Sequence, residues 1–211
     1  RVFAEVFPDL ARALAAGDPL ARRDGSGALT PDYLGEVREA ALVLLYRLLF
    51  VFYAEDRSLL PVRDDRYVAY SVRKLRDDVA GARDAAATLS ASAAGYWLRL
   101  TELFRLIADG DDSVGMPGYN GGLFDPDRAP LLARVRIADA QLAPVIDALS
   151  RRTEDVLHLR INYRDLSVAH LGGIYERLLE YSLVEEVGRI ESRPASFARK
   201  TSGSYYTHDD L

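Results

Sequence analysis

The chain has 211 residues, of which 49% are hydrophobic and 28% are charged, and its formal net charge is −5. These values are typical of a soluble globular protein and exclude a wholly disordered chain. The absence of cysteine excludes disulfides and thiolate metal sites, and the negative charge argues against a surface that binds nucleic acid throughout.

Helical patterns dominate the first part of the chain. Thr30 precedes a proline and an aspartate, as is typical of a helix start, and apolar residues then keep helical spacing to about Arg57. The most apolar part of this helix, residues 40–54, is shorter than the ~20 residues that span a bilayer, and it contains Arg47. We therefore expect a buried helix and no membrane span.

Two further amphipathic helices are predicted, followed by a loop. One begins after Ser71, and the other covers residues 95–108 and closes at Gly110. Residues 110–130 are rich in glycine, proline and aspartate, which favours an ordered loop.

The C-terminal part adds two more helices and little strand. Asp139 is predicted to cap one helix, and Ser167 to open the other. Strand signal is confined to residues 160–163 and 182–190. The predicted fold is therefore mostly α, a multi-helix bundle with a long ordered loop and at most a short strand or two near the C-terminus.

Three parts are predicted: a helical lead-in over residues 1–29, a helical connector domain over 30–187, and a basic link over 188–211 that begins a further domain. The chain starts at Arg1 without a methionine and ends in a Gly-Ser-Tyr-Tyr-Thr run that is typical of a fresh helix start. We therefore interpret it as an internal piece of a longer polypeptide.

Motifs for catalysis are scarce. Residues 53–57 place two carboxylates and an arginine at the end of the long helix, which suits either acid–base chemistry in a cleft or structural pairing between helices, and the second is favoured. The histidines His158, His170 and His208 lack metal-ligand spacing. No catalytic residue and no metal is predicted.

Two features at the C-terminal end have open interpretations. Residues 187–207 carry four bases, Arg189, Arg193, Arg199 and Lys200, against one acid, Glu191. This basic strip suits either a solvated connection between packed units or direct contact with DNA. The glycine pair at 172–173 interrupts a helical pattern, which favours close approach of another backbone.

Five segments in order carry a resemblance to a known family. LFVFYAEDRSLLP, YNGGLF, INYRDL, HLGGIYERLLEYSL and RKTSGSYYTHDDL resemble the region ahead of the methyltransferase domain in Type IIG restriction-modification enzymes and in related phage-defence methylases. The resemblance covers about residues 40–211. It implies a helical connector between a nuclease domain and an adenine-N6 methyltransferase that uses S-adenosylmethionine.

The resemblance also implies roles for the last residues. Tyr206 and Thr207 would hold the methionine end of S-adenosylmethionine, while His208 stands where the family has proline. The Gly-rich cofactor loop and the catalytic loop of such methyltransferases are not in this sequence. The chain alone is therefore expected to bind no cofactor and to catalyse nothing.

The expected parent is a cytoplasmic DNA methyltransferase with an endonuclease, whose partners are DNA and the adjacent nuclease and methyltransferase domains. The alternative is a stand-alone helical module for protein–protein interaction. That module would use the exposed side of the helix around Tyr96 and Trp97.

Overall fold

A computed structural model describes residues 2–119, 121–154 and 157–195. Over these residues the chain is mostly helical, which confirms the predicted fold class. The helices are α1 (Val2–Ala16), α2 (Pro31–Asp56), α3 (Asp65–Val68), α4 (Val72–Asp84), α5 (Gly95–Asp109), α6 (Leu131–Arg134), α7 (Asp139–Ser150) and α8 (Val168–Leu179). The strands are β1 (Arg151–Glu154), β2 (Leu157–Arg160), β3 (Tyr181–Glu186) and β4 (Arg189–Pro194).

Helix α2 is the centre of the bundle. Thr30 is its N-cap, and the threonine hydroxyl accepts a hydrogen bond from the Tyr33 amide at 3.3 Å. Leu42 and Leu44 are both buried, and residues two apart lie on opposite sides of a helix. A helix that is apolar all round must be covered all round. Helices α1, α4 and α6 and strand β3 pack against it.

The outer helices begin close to where the sequence predicts. Ser71 caps α4, because its hydroxyl accepts a hydrogen bond from the Lys74 amide at 3.1 Å. Helix α5 starts at Gly95 and ends at Asp109, with Gly110 as its C-cap and with Trp97 and Ile107 in the core. Helix α7 then packs against α1, α4 and α5.

The loop after α5 folds back on the end of that helix. Gly110 has a φ of 75°, and a Cβ there would lie 2.4 Å from the Gly118 amide nitrogen. Two short 3-10 turns, Asp112–Val114 and Pro126–Arg128, lie within the loop. Glycine at position 110 is therefore required by both conformation and space.

Each strand region is a two-stranded antiparallel hairpin, which corrects the predicted strand positions. The predicted strand at 160–163 is wrong, because β2 ends at Arg160 and pairs with β1. The single strand predicted over 182–190 is β3, a turn and the start of β4. Val187 and Gly188 have φ values of 51° and 72°, which reverse the chain between the strands.

The glycine pair in α8 is also not what the sequence predicts. A Cβ at Gly172 or Gly173 would meet no described atom within 4 Å. The expected close approach of another backbone is therefore wrong.

The first helix and the last strand of the described chain are in contact. Helix α1 packs against α2, α7 and strand β4. The proposed boundaries after residues 29 and 187 stay predictions.

Candidate functional site

The predicted cofactor and DNA residues fall partly outside the described residues. Tyr206, Thr207, Arg199 and Lys200 lie there, so their assignments stay predictions. Arg189 and Arg193 lie on β4.

The hairpin surface around Arg193 is mixed in charge. The Arg193 guanidinium donates hydrogen bonds to the Glu186 carboxylate across the hairpin at 2.5 and 3.2 Å. This contact holds the pKa of Glu186 below its ordinary value. Strands β3 and β4 together carry two arginines and three glutamates, so this part of the predicted basic strip is not basic as folded.

Arg189 lies at a groove between α1, α7 and the β3–β4 hairpin. The groove has a volume of about 430 Å³, and Arg12, Arg23 and Glu185 also line it. Arg12 and Arg23 pair with acidic groups there, including Arg23 with Glu185 at 3.7 Å. Ion pairs at this groove therefore connect α1 and the segment ahead of α2 to the β3–β4 hairpin.

The carboxylate of Glu55 is buried between α2 and α4. Its oxygens accept hydrogen bonds from the Tyr67 hydroxyl and the Val72 amide, both at 2.7 Å, and from the Arg73 amide at 2.9 Å. The two amides belong to the first turn of α4, where free N–H groups and the helix dipole favour a negative charge. Burial raises the pKa of Glu55, and the three hydrogen bonds oppose that rise.

The neighbouring Asp56 continues this junction. Its carboxylate pairs with Arg76 at 3.2 Å and accepts a hydrogen bond from the Tyr163 amide at 3.0 Å. The Arg76 guanidinium lies 5.1 Å from the centroid of the Phe52 ring. Both carboxylates of the 53–57 cluster are therefore engaged in contacts between elements, which is the pairing that the sequence favours over acid–base chemistry.

A second buried carboxylate, Asp18, joins the end of α1 to α2 and α6. It accepts hydrogen bonds from the Tyr33 hydroxyl at 2.9 Å and from Arg134 at 3.0 Å. Burial alone would raise its pKa, but hydrogen bonds from Arg134, the Leu20 amide and Tyr33 hold the pKa below its ordinary value. Sequence reasoning missed this group, since its partners are distant in the chain.

Helix α2 holds the C-terminal elements through side chains that reach backbone carbonyls. Arg38 donates to the carbonyl of Tyr181 at 2.6 Å and to that of Leu179 at 2.8 Å. The Tyr46 hydroxyl donates to the Leu171 carbonyl at 2.6 Å. Helix α8 and strand β3 are thus both tied to the central helix.

The hairpin is fixed from a second side. Arg12 of α1 donates to the Ile190 carbonyl at 2.8 Å. The Glu185 carboxylate accepts a hydrogen bond from the Leu29 amide at 2.5 Å. We call Arg12, Arg38 and Glu185 the hairpin anchors.

The surface expected for the alternative function is different in the structure. Trp97 is only 1% exposed and packs in the core. Tyr96 is half-buried, and the exposed apolar residue on α5 is Leu98, at 51%. The predicted exposed side around Trp97 is therefore wrong.

Comparison with known proteins gives no relative. No family model matches the chain, and neither curated proteins nor solved structures gave a match. Within the described ranges, no cluster of three or more histidine or acidic side chains is placed to hold a metal ion. In the same ranges, no helix has the length and apolar character to cross a membrane.

Proposed function

We propose that the chain is a rigid helical spacer in a bifunctional DNA restriction-modification enzyme. The parent would carry an S-adenosylmethionine-dependent adenine-N6 methyltransferase domain and an endonuclease domain, and would act on DNA in the cytoplasm. The spacer itself is non-catalytic. The class of the parent rests on the ordered resemblance of five segments.

The hairpin anchors carry the spacer part of the proposal. Arg12 and Arg38 donate charged hydrogen bonds to backbone carbonyls of the C-terminal elements, and Glu185 accepts from the backbone ahead of α2. Hydrogen bonds with a charged partner contribute roughly 1.5–3 kcal/mol each. Strand β4, which leads toward residues 196–211, is thereby held against α1.

A spacer must keep two domains at a constant offset, so its elements must not hinge against one another. Buried charged groups at helix junctions serve that need, because separating the helices would break the hydrogen bonds that each group accepts from the neighbouring elements. Glu55 and Asp18 are such groups.

In this scheme Tyr206 and Thr207 begin the cofactor pocket of the next domain.

The proposed DNA contact remains part of this function but has less support. Glu186 neutralises Arg193, so DNA binding would depend on Arg189, Arg199 and Lys200. Neutralising those charges would then weaken binding and reduce its salt dependence.

Calorimetry with S-adenosylmethionine tests the proposal. The chain alone should give no binding heat, whereas a polypeptide extended by roughly 250 residues encoded by the same gene, more than a typical domain, should bind saturably. Micromolar binding to the chain alone would contradict the proposal. So would a gene whose following codons encode no methyltransferase.

A further inference from the structure

A partly enclosed cavity lies between α5, α6 and the loop that joins them. Its volume is about 200 Å³, and most of its wall is apolar. Trp97, Phe104, Phe124 and Leu132 contribute large apolar side chains, and Arg47 of α2 also lines it.

The guanidinium of Arg47 is held in a fixed position at this cavity. It lies 5.7 Å from the centroid of the Phe104 ring and 5.8 Å from that of Phe124. Its Nε donates to the Leu123 carbonyl, and its Nη2 to the Asp125 carbonyl, both at 2.8 Å. Two rings and two carbonyls therefore orient the group before any ligand arrives.

One nitrogen of the Arg47 guanidinium is an unsatisfied hydrogen-bond donor. Nη1 has no hydrogen-bond partner among the described residues, and it is not among the fully buried unsatisfied atoms. Arg47 is only 6% exposed, and it lines the cavity. Arg47 therefore brings a side chain with an unused donor to the wall of the cavity.

Among the described residues, no carboxylate forms an ion pair with Arg47. Its partners in the described chain are carbonyls, and the Asp125 carboxylate instead accepts a hydrogen bond from the Asp127 amide. Burial lowers the pKa of Arg47, with Asp125 opposing, but a guanidinium stays charged at neutral pH. A buried cation without a carboxylate partner favours an incoming anion.

At the rim, the one acidic side chain among the described residues that line the cavity lies near a base. Asp109 lies 3.7 Å from the Arg105 guanidinium. Arg105 is bonded more closely to Glu102, at 2.7 Å, so the charges at the rim are paired and, in the described part of the wall, Arg47 is the cation that remains for an anionic ligand.

We propose that this cavity binds a small aromatic carboxylate. Nη1 of Arg47 donates to the carboxylate, and the ring packs against Phe104, Phe124 and Trp97. A cavity of about 150 Å³ accepts benzene in a protein, so one ring with a carboxylate suits the volume here. Inorganic phosphate lacks the apolar body that the walls require.

Benzoate is the probe, with neutral benzamide as its matched comparison. Titration followed by ligand-observed NMR should show saturable benzoate binding with a Kd on the order of 1 mM or tighter. Benzamide should bind roughly tenfold more weakly, because it cannot form the charge-assisted hydrogen bond. Equal affinity for both, or no benzoate saturation by about 10 mM, would overturn the proposal.

Two variants locate the site. Arg47→Met keeps the apolar stem and removes the donors, and Ala108→Leu fills the cavity while leaving Arg47 intact. Each should reduce benzoate affinity at least roughly tenfold with an unchanged circular dichroism spectrum. If Arg47→Met does not fold, Ala108→Leu decides.

Arg63→Met is the matched control, because it removes an exposed arginine outside this cavity. Its benzoate affinity should equal that of the unaltered chain. Equal loss in all variants would indicate non-specific charge attraction and would reject the site, as would full affinity in Ala108→Leu.

Discussion

At the scale of single residues, the buried carboxylates Asp18 and Glu55 both join neighbouring chain segments, but their hydrogen-bond partners differ. Each lies where chain segments meet and accepts hydrogen bonds from donors on more than one of them. Asp18 has an arginine partner, which lowers its pKa, whereas Glu55 is satisfied by a hydroxyl and two amides, and its pKa is raised by burial. Asp18 is therefore the better probe of charge.

Asp18→Asn should lower the free energy of unfolding by about 2–4 kcal/mol at pH 7, because Arg134 would lose a buried anionic partner. The folded-state pKa of Asp18 lies below its unfolded value, so its contribution is fully present above about pH 4 and is lost as the pH falls further. Urea denaturation at a series of pH values should show the two proteins converging below about pH 4.

Glu36→Gln is the control for this prediction, because Glu36 also pairs with Arg134 but its side chain is 41% exposed. It should cost less than about 1 kcal/mol. A constant difference between the Asp18→Asn variant and the unaltered chain from pH 3 to 8 would contradict the charge-based account.

At the scale of elements, helix starts follow from local chemistry. Thr30, Ser71 and Ser167 each accept a hydrogen bond from an amide three residues ahead, and Gly110 ends α5. These signals depend only on neighbouring residues, so the sequence alone predicts them.

Elements that depend on distant partners were not predictable in the same way. Asp139 was expected to cap its own helix, but its carboxylate accepts a hydrogen bond from the Tyr96 amide of α5 at 2.8 Å. The turn at Val187 and Gly188 lacks the Asn-Gly or Asp-Gly pair that marks a hairpin. Arg47 was visible as a charge in an apolar helix, but its two aromatic neighbours lie far along the chain.

Substitution of Gly172 tests how the helix propensity of α8 contributes to stability. Its position in α8 leaves open space for a Cβ, so Gly172→Ala should raise the free energy of unfolding by about 0.5–1 kcal/mol through a stiffer helix. Thermal or urea denaturation measures this change. A loss of stability would instead indicate the close backbone contact that the sequence suggested.

Gly110→Ala is the matched substitution at a constrained site. Its positive φ and the nearby Gly118 backbone should make the same added methyl cost about 1–3 kcal/mol or more. The free energy of unfolding should therefore rise for Gly172→Ala and fall for Gly110→Ala. This difference separates the effect of helix propensity from the effects of a steric clash and a positive φ.

At the scale of the whole molecule, paired charges connect elements that lie far apart in sequence. Arg134 and Asp18 join α6 to the end of α1, and Arg151 and Asp84 join β1 to α4. Such pairs fix orientation more than they add stability when they are exposed. The spacer proposal depends most on Arg38, since its side chain is 19% exposed and, besides its neighbour Glu39, it bonds to the backbone carbonyls of Tyr181 and Leu179.

Arg38→Met should loosen the hairpin without unfolding the bundle. Loss of two hydrogen bonds from a charged donor should speed amide hydrogen exchange in β3 and β4 at least roughly tenfold, while exchange in α4 and α5 stays unchanged. Arg105→Met is the control, because Arg105 bonds only to acids of its own helix in the described chain. Unchanged exchange in the hairpin of the Arg38→Met protein would show that Arg38 does not fix it, and the rigidity on which the spacer function depends would lose its main support.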